Sequence, residues 1–328
     1  MTTNSSTSLT VLSSFYNVES FIPHCVEMLK AQTVSNFSII LVDDGSTDNS
    51  YRKCIESVGD DSRFTVIQHV KNKGIGAGRI TGIENCKTEY LTYVDPDDFL
   101  APDAIENYLN NIERTKADCI VYDYFMSDGK NTTLITDTCN SVNELFSTNS
   151  KLISHVWHKI VKTDLYKHFD YSFLSKVSFS EDLFISVNCF LNAKNVAIIH
   201  KAYYTYMYNG SSLVHNRTEK SILENITVNK NLLLNPKLSE NLFIKKYIED
   251  DSFHAFGQFI FPNLRNDFQK KPHFNEWRIV DKECHIKPPM NTSFFIRSYL
   301  RFIRKRIHFM TFLFWYILYL KELIRGKL

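Results

Sequence analysis

The stretch "FSIILVDD", residues 37–44, constrains the fold most, because its isoleucine, leucine and valine side chains run without the apolar–polar alternation of a strand wetted on one side. A run of this kind is buried on both faces, as in the middle of a parallel sheet covered by helices. The rest of the first 125 residues supplies the neighbours. "LTVLSSFY" is a strand-like run, followed by an amphipathic stretch from Glu19 to Gln32 with Phe21, Ile22, Cys25, Val26 and Leu29 at helical spacing. "DGSTDNS" gives a turn and a helix start, "FTVIQHV" a third strand, and "GAGRITGIENC" a helix opened by glycines. "EYLTYV" reads as a fourth strand, "PDAIENYLNNIERT" as a helix with Pro102 near its first turn, and "DCIVYDYF" as a fifth strand. This alternation predicts an α/β fold with a doubly wound, mostly parallel sheet flanked by helices, in which ligands bind beyond the carboxyl ends of the strands. Asp43 and Asp44 follow the second strand and Asp95 to Asp98 follow the fourth, so one rim is expected to carry them all.

Asp95, Asp97 and Asp98 place three carboxylates within four positions. At ~4–6 Å such charges repel, and at the edge of a low-dielectric core the cost reaches kcal/mol. Asp98 or Asp103 could cap the helix near Pro102. The cluster as a whole suits a hard divalent cation, Mg²⁺ or Mn²⁺, which takes one or two carboxylates and completes its shell with water and substrate phosphates. "KNKGIGAGR", Lys71 to Arg79, joins a glycine-rich loop to a helix start, where backbone N–H groups and Arg79 could meet anionic oxygen; a plain turn fits the same residues. Asp43 and Asp44 suit a nucleotide base or ribose, and "DDGSTD" equally suits an Asx turn with Asp48 or Thr47 at the helix start.

At 328 residues the chain exceeds the usual single-domain length, which favours one large α/β domain plus an appendage. Hydrophobic residues at 44% and charged residues at 23% exclude a disordered chain. Seven cysteines, at 25, 54, 86, 119, 139, 189 and 284, stand singly with no Cys-x-x-Cys, against both a zinc knuckle and a disulfide framework and in favour of a reduced cytosol. "MTTNSSTSLTVLSS" reads as a polar leader rather than a secretion signal. Past residue 126, "SDGKNTTLITDTCN" reads as a polar connection, Val142 to Asn209 as a mixed region, and Thr218 to Phe261 as helical. From Asn291 onward eight basic residues face one acid, a net of +7 that leaves −5 on the preceding 290. Helical projection puts Arg297, Arg301, Arg304, Lys305 and His308 opposite Ile296, Tyr299, Leu300, Phe302, Ile303 and Ile307, with Arg306 against the split, and "FMTFLFWYILYL" follows, too short to span a bilayer. The tail therefore reads as a basic, aromatic anchor on a membrane surface; a helix pair docked on the body, or a contact between copies, would use the same apolar face.

"TVLSSFYNVESFIPHCVEMLKAQTVSNFSIILVDDGSTDNS", "NKGIGAGRITGIENCKTEYLTYVDPDDFLAPD" and "FSEDLFI" together resemble glycosyltransferase family 2, the inverting enzymes of GT-A fold, densely over about residues 9–125 and more thinly over 150–215. The resemblance implies a catalytic domain over 1–215 with a donor half to about 125 and an acceptor half over 126–215; a helical region over 216–290 and the tail from 291 lie beyond it. It implies that Ser14, Tyr16 and Glu19 border the nucleotide, that an aspartate of "VDDGS" recognises uracil, Asp44 ahead of Asp43, and that Asn72 and Arg79 lie near base and diphosphate, with Gly78-Arg79-Ile80 in place of the common Ala-Arg-Asn. Asp95-Pro96-Asp97 matches the family's Asp-x-Asp, with Asp95 toward ribose and metal and Asp97 the main ligand of Mn²⁺ or Mg²⁺, leaving Asp98 to support the turn or helix. In "SEDLF", Asp182 matches the base that deprotonates the acceptor hydroxyl, and Glu181 supports it or binds acceptor.

"SHVWHKIVKTDL" resembles a Trp-Asn-Lys segment with His158 at the asparagine position, which makes Trp157 and Lys159 acceptor-wall residues, with Trp157 equally suited to the core. In "YYTYMYNGSSLVHN" Met207 occupies a position that is arginine in the family, and His215 fits either a metal contact in a closed state or an ordinary loop. The expected activity is metal-dependent, inverting transfer of a sugar from a nucleotide donor, UDP-linked first, to a glycan or lipid-linked acceptor in cell-surface polymer synthesis, on the inner face of the membrane. Two other classes compete. A nucleotidyltransferase would need a glycine-rich loop with a lysine after the first strand, which "SSFYNVES" lacks, and a tethered binding protein on the same fold would not need Asp97 or Asp182.

Overall fold

The computed structural model describes residues 8–208 and 218–252, and the chain divides into two compact units between Asn216 and Arg217. The first unit is built on β1 (Leu9–Phe15), β2 (Ser38–Asp43), β3 (Phe64–Gln68) and β4 (Tyr90–Tyr93), all paired in parallel in the order β3-β2-β1-β4. Leu9, Val11, Leu12, Ile39, Leu41 and Val42 are wholly buried, as the unbroken apolar runs require. Helices α1 (Ile22–Lys30), α2 (Ser50–Val58) and α3 (Ile75–Asn85) make the crossovers. On one face of β1, Leu12 and Ser14 lie against Gly82 and Gly78 of α3.

Next come β5 (Phe99–Leu100), α4 (Ala104–Thr115), β6 (Cys119–Ser127), β7 (Thr132–Ile135), α5 (Val142–Ser147), β8 (Lys159–Lys162), α6 (Glu181–Asn192) and β9 (Val196–Met207). β8 lies antiparallel between β4 and β6, Val161 pairing with Leu91 on one side and Cys119 on the other. β6 therefore runs in the direction of β4 without touching it, and β9 pairs with β6 in parallel. The direction is mostly parallel, as expected, with β5, β7 and β8 reversed. The "SDGKNTTLITDTCN" segment is not a bare connection: β7 folds back on the end of β6 through a turn in which Gly129 takes φ +84°. The mixed region resolves into α5, β8, α6 and β9, and β9 reaches β5, with Thr205 opposite Phe99, after register shifts near Asp123.

In the second unit α7 (Glu219–Leu233) opens with a capping box between Thr218 and Ser221. The helical run expected from Thr218 is interrupted by a 3₁₀ turn at Pro236–Glu240 before helix resumes over 242–252. Buried Asn229 donates to Asp251 at 2.7 Å and to Asn225 at 3.0 Å. His215, Cys284 and the tail from 291 lie outside the described residues, and among the described residues no helix is long and apolar enough to cross a membrane.

Candidate active site

The parallel strands end together: Phe15, Asp43 and Gln68 are in register across β1, β2 and β3. Asp43 is fully buried and accepts from the Ser46 N–H at 3.0 Å and Gln68 Nε2 at 2.9 Å. Asp44 is equally buried, meets His69 Nδ1 at 2.7 Å, and accepts from the Lys73 N–H at 3.0 Å and the Gly74 N–H at 2.7 Å. These bonds tie the glycine-rich loop to the end of β2. They occupy both oxygens of Asp44, which was expected to read a base, and two of the loop amides expected to meet phosphate. Asn72 closes the same loop by accepting from the Gly74 N–H at 3.1 Å.

The loop after β1 is laced to the loop after β2. Asn17, at φ +53°, accepts from the Thr47 N–H at 2.8 Å, and its own N–H donates to Ser46 Oγ at 3.0 Å. Glu19 accepts from Asn49 Nδ2 at 2.9 Å and from the Asn49 N–H at 3.1 Å, bonds that hold its carboxyl below the usual range. Asp48 accepts from the Ser50 N–H at 2.9 Å, the helix-start role foreseen for it. Glu19 is thus a strut for α2, while Tyr16, 41% exposed, offers a ring at the rim.

Ser14 is where α3 comes closest to β1: a Cβ on Gly78 would overlap Ser14 Oγ, and one on Gly76 would overlap the Leu174 carbonyl. The glycines permit this close seating rather than cradling an anion. The seat brings Arg79, 3% exposed, under the sheet rim with its guanidinium 5.4 Å from the Tyr93 ring centroid. Three carboxylates converge on it: Asp182 Oδ1 in direct contact, Glu181 Oε1 at 3.5 Å and Asp95 Oδ1 at 4.0 Å.

The acidic turn divides its carboxylates. Asp98, 1% exposed, accepts from Tyr204 Oη at 2.6 Å and the Met207 N–H at 2.7 Å, and Tyr204 Oη in turn accepts from the Asp95 N–H at 3.1 Å. Asp98 therefore anchors the turn to β9. It caps no helix, and α4, with Asp103 at its N-cap, has no side-chain cap there either. Burial, followed by the charge of Asp95, pushes Asp98 up to about 8. Asp95 is pushed to about 6, first by burial and then by Asp97 and Glu181, against the opposing pull of Arg79. Asp97 is half-buried beside it.

Glu181 and Asp182 form the first turn of α6. Asp182 lies between Arg79 and His155, whose Nδ1 is 3.9 Å from Asp182 Oδ2. Sequence reasoning passed over His155 because nothing near it in the chain is acidic. Its ring stacks on Trp157 at 5.0 Å and 14°. Trp157 is 2% exposed, stacked with Tyr204 at 4.5 Å and 11° and edge-on to Tyr124 at 4.7 Å. Lys159 is 1% exposed, its ammonium donating to the His155 carbonyl and lying 3.2 Å from His158 Nε2; burial lowers it to about 7. Neither Trp157 nor Lys159 is an acceptor wall. Both belong to the core that holds the His155 turn, and Glu181, 7% exposed, faces Arg79.

The rim fits a divalent cation by its charge. Burial raises the Asp95 carboxyl first, and the neighbouring charges of Asp97 and Glu181 add to it against the pull of Arg79. Among the described residues there is no cluster of three or more His, Cys, Asp or Glu ligands. Asp95 and Asp97 are then the donors available, the one or two carboxylates that Mg²⁺ or Mn²⁺ uses when substrate phosphates supply the rest.

A family model described as glycosyl transferase family 2 matches residues 10–173. The chain is 30% identical over 230 residues to EpsH of Bacillus subtilis, covering 66% of this chain and 65% of the relative. It is 28% identical over 211 residues to the poly(ribitol-phosphate) beta-glucosyltransferase of Bacillus spizizenii, covering 61% of this chain and 32% of the relative. This chain thus spans less than two thirds of the length of either. The crystal structure of S. aureus TarS 1–349 in complex with UDP-GlcNAc superposes with a TM-score of 0.71 at 17% identity, over 98% of this chain and 92% of that one, a likeness of fold.

Proposed function

Because the chain belongs to glycosyl transferase family 2, we propose that it transfers a sugar from a nucleotide donor, UDP-linked first, to a hydroxyl of a cell-surface glycan or lipid-linked acceptor, with inversion at the anomeric carbon. The observation that carries this reading is the convergence of Asp95, Glu181 and Asp182 on buried Arg79 at the carboxyl rim of the sheet. UDP-GlcNAc bound to a protein of the same fold supports the donor class, and the poly(ribitol-phosphate) glucosyltransferase of B. spizizenii supports a polymer as acceptor. A membrane-surface location rests on the basic, aromatic sequence of residues 291–328.

Inversion needs one displacement and one base. The acceptor oxygen bonds C1 as the bond from C1 to the diphosphate breaks, and the acceptor proton passes to Asp182. Glu181, on the same first turn of α6, meets the same Arg79 nitrogen as Asp182, Nη1, at 3.5 Å. Arg79 holds positive charge between Asp182 and Asp95, where a departing diphosphate gains negative charge. Tyr16 offers its exposed ring to the base. Asp95 and Asp97 would hold a divalent cation, which when bound would add to the neutralisation of the leaving group.

The test is a panel of nucleotide sugars, with Mn²⁺ or Mg²⁺, read by thermal shift and by donor hydrolysis. A UDP-sugar should raise the melting temperature by mass action and be slowly hydrolysed, and Asp97→Asn should abolish the metal dependence. A panel in which no nucleotide sugar shifts melting or is consumed overturns the reading.

A further inference from the structure

We propose that His155 is a positioning residue for Asp182, donating a hydrogen bond from Nδ1 to the Asp182 carboxylate when acceptor is bound. This rests on the reading of Asp182 as the base, and extends it to a residue no motif marks.

Three observations place the ring. Nδ1 is 3.9 Å from Asp182 Oδ2, just beyond a hydrogen bond and too near for an intervening water. Catalytic hydrogen bonds are often long in substrate-free sites and tighten in the substrate complex. The plane of the imidazole is fixed by stacking on Trp157 at 14°, and it lies within 15° of the Tyr206 ring at 6.4 Å. Its backbone is gripped by Lys159, whose ammonium donates to the His155 carbonyl. The ring can tilt toward Asp182 but has little freedom to leave it. Its side chain is 34% exposed and that of Asp182 18% exposed, so both keep access to solvent.

The charged neighbours decide what kind of partner it is. Arg79 from α3 and Lys159 from β8 face it, with His158 edge-on at 6.5 Å. Burial, then Lys159 and Arg79, lower His155 to about 4, so the ring stays neutral at physiological pH. A neutral donor orients a carboxylate without adding a second cation to the one Asp182 already contacts. Arg79 takes Oδ1 and His155 takes Oδ2, which leaves the remaining lone pairs of Oδ2 for the acceptor hydroxyl.

The test compares His155→Phe, which keeps a ring on Trp157 but no donor, with His155→Asn, whose amide places an N–H where Nδ1 stood. His155→Phe should melt as the wild type and bind donor unchanged, but turn over about 10–100-fold more slowly. His155→Asn should recover most of that rate. The deficit should disappear in an Asp182→Asn background, because the histidine then has no base to position. Wild-type turnover in His155→Phe, equal losses in both variants, or a deficit that persists on top of Asp182→Asn each overturn the proposal. If His155→Phe melts early, His155→Gln takes its place, since its amide reaches the Nε2 position instead and should be slow where Asn is fast. Asp182→Asn alone separates the two readings. Full activity there removes the base itself, whereas an inactive Asp182→Asn beside an unimpaired His155→Phe removes only the positioning role.

Discussion

Arg79 and Asp182, 103 positions apart in the chain, are in contact, and the same guanidinium lies 3.5 Å from Glu181 and 4.0 Å from Asp95. A single cation on α3 thereby joins the donor-side acidic turn to the first turn of α6.

Arg79→Met should cost about 3–5 kcal/mol of stability, because it leaves acids gathered around a buried position without their counter-charge. Arg79→Lys should keep part of that stability and still lose turnover, since an ammonium cannot address three carboxylates from one planar fork. Denaturant unfolding and donor hydrolysis measured together check both statements. An Arg79→Met variant of wild-type stability would show that the acids are compensated elsewhere.

Asp98 makes the stability of the fold depend on pH in a defined direction. Its carboxyl is raised to about 8 in the folded protein, against about 3.9 in the unfolded chain. Between these values the folded state holds a proton that the unfolded state has released, so this residue's contribution falls as pH rises from about 4 to about 8 and is level above that. Asp98→Asn should flatten that part of the profile. Urea midpoints at pH 5, 6.5 and 8 report it, and parallel profiles for variant and wild type would refute the assignment.

Trp157→Ala should destabilise by about 3–5 kcal/mol, as the loss of a buried aromatic does, while Trp157→Phe should be tolerated. The readout is equilibrium unfolding alongside acceptor kinetics. A Trp157→Ala protein that is stable but has a raised acceptor KM would return this residue to the acceptor wall.

The donor half was legible because its signals are local: apolar runs ending in Asp43 and Asp95, and helices read from spacing within a dozen residues. The jobs of particular side chains were not. Asp98 is committed to Tyr204, 106 positions later, and Trp157 is buried by tyrosines from β9. Asp44 was read as a ligand contact because its partners in the glycine loop are backbone amides, which no residue type announces. β8 was missed since four residues inserted antiparallel between two strands leave no periodic trace.

The insertion of β8 also sets an order of assembly. β4 leaves a synthesising ribosome long before residues 159–162, which are to cover its free edge, and Tyr204 and Met207, which hold Asp98 beyond its end, follow later still. Until then the nascent chain presents a strand with one edge open and a cluster of acids beyond its end. Charge placed beside an open edge disfavours its pairing with a second chain, so the acids that the finished site needs are of a kind that also suits an edge left waiting for its partner.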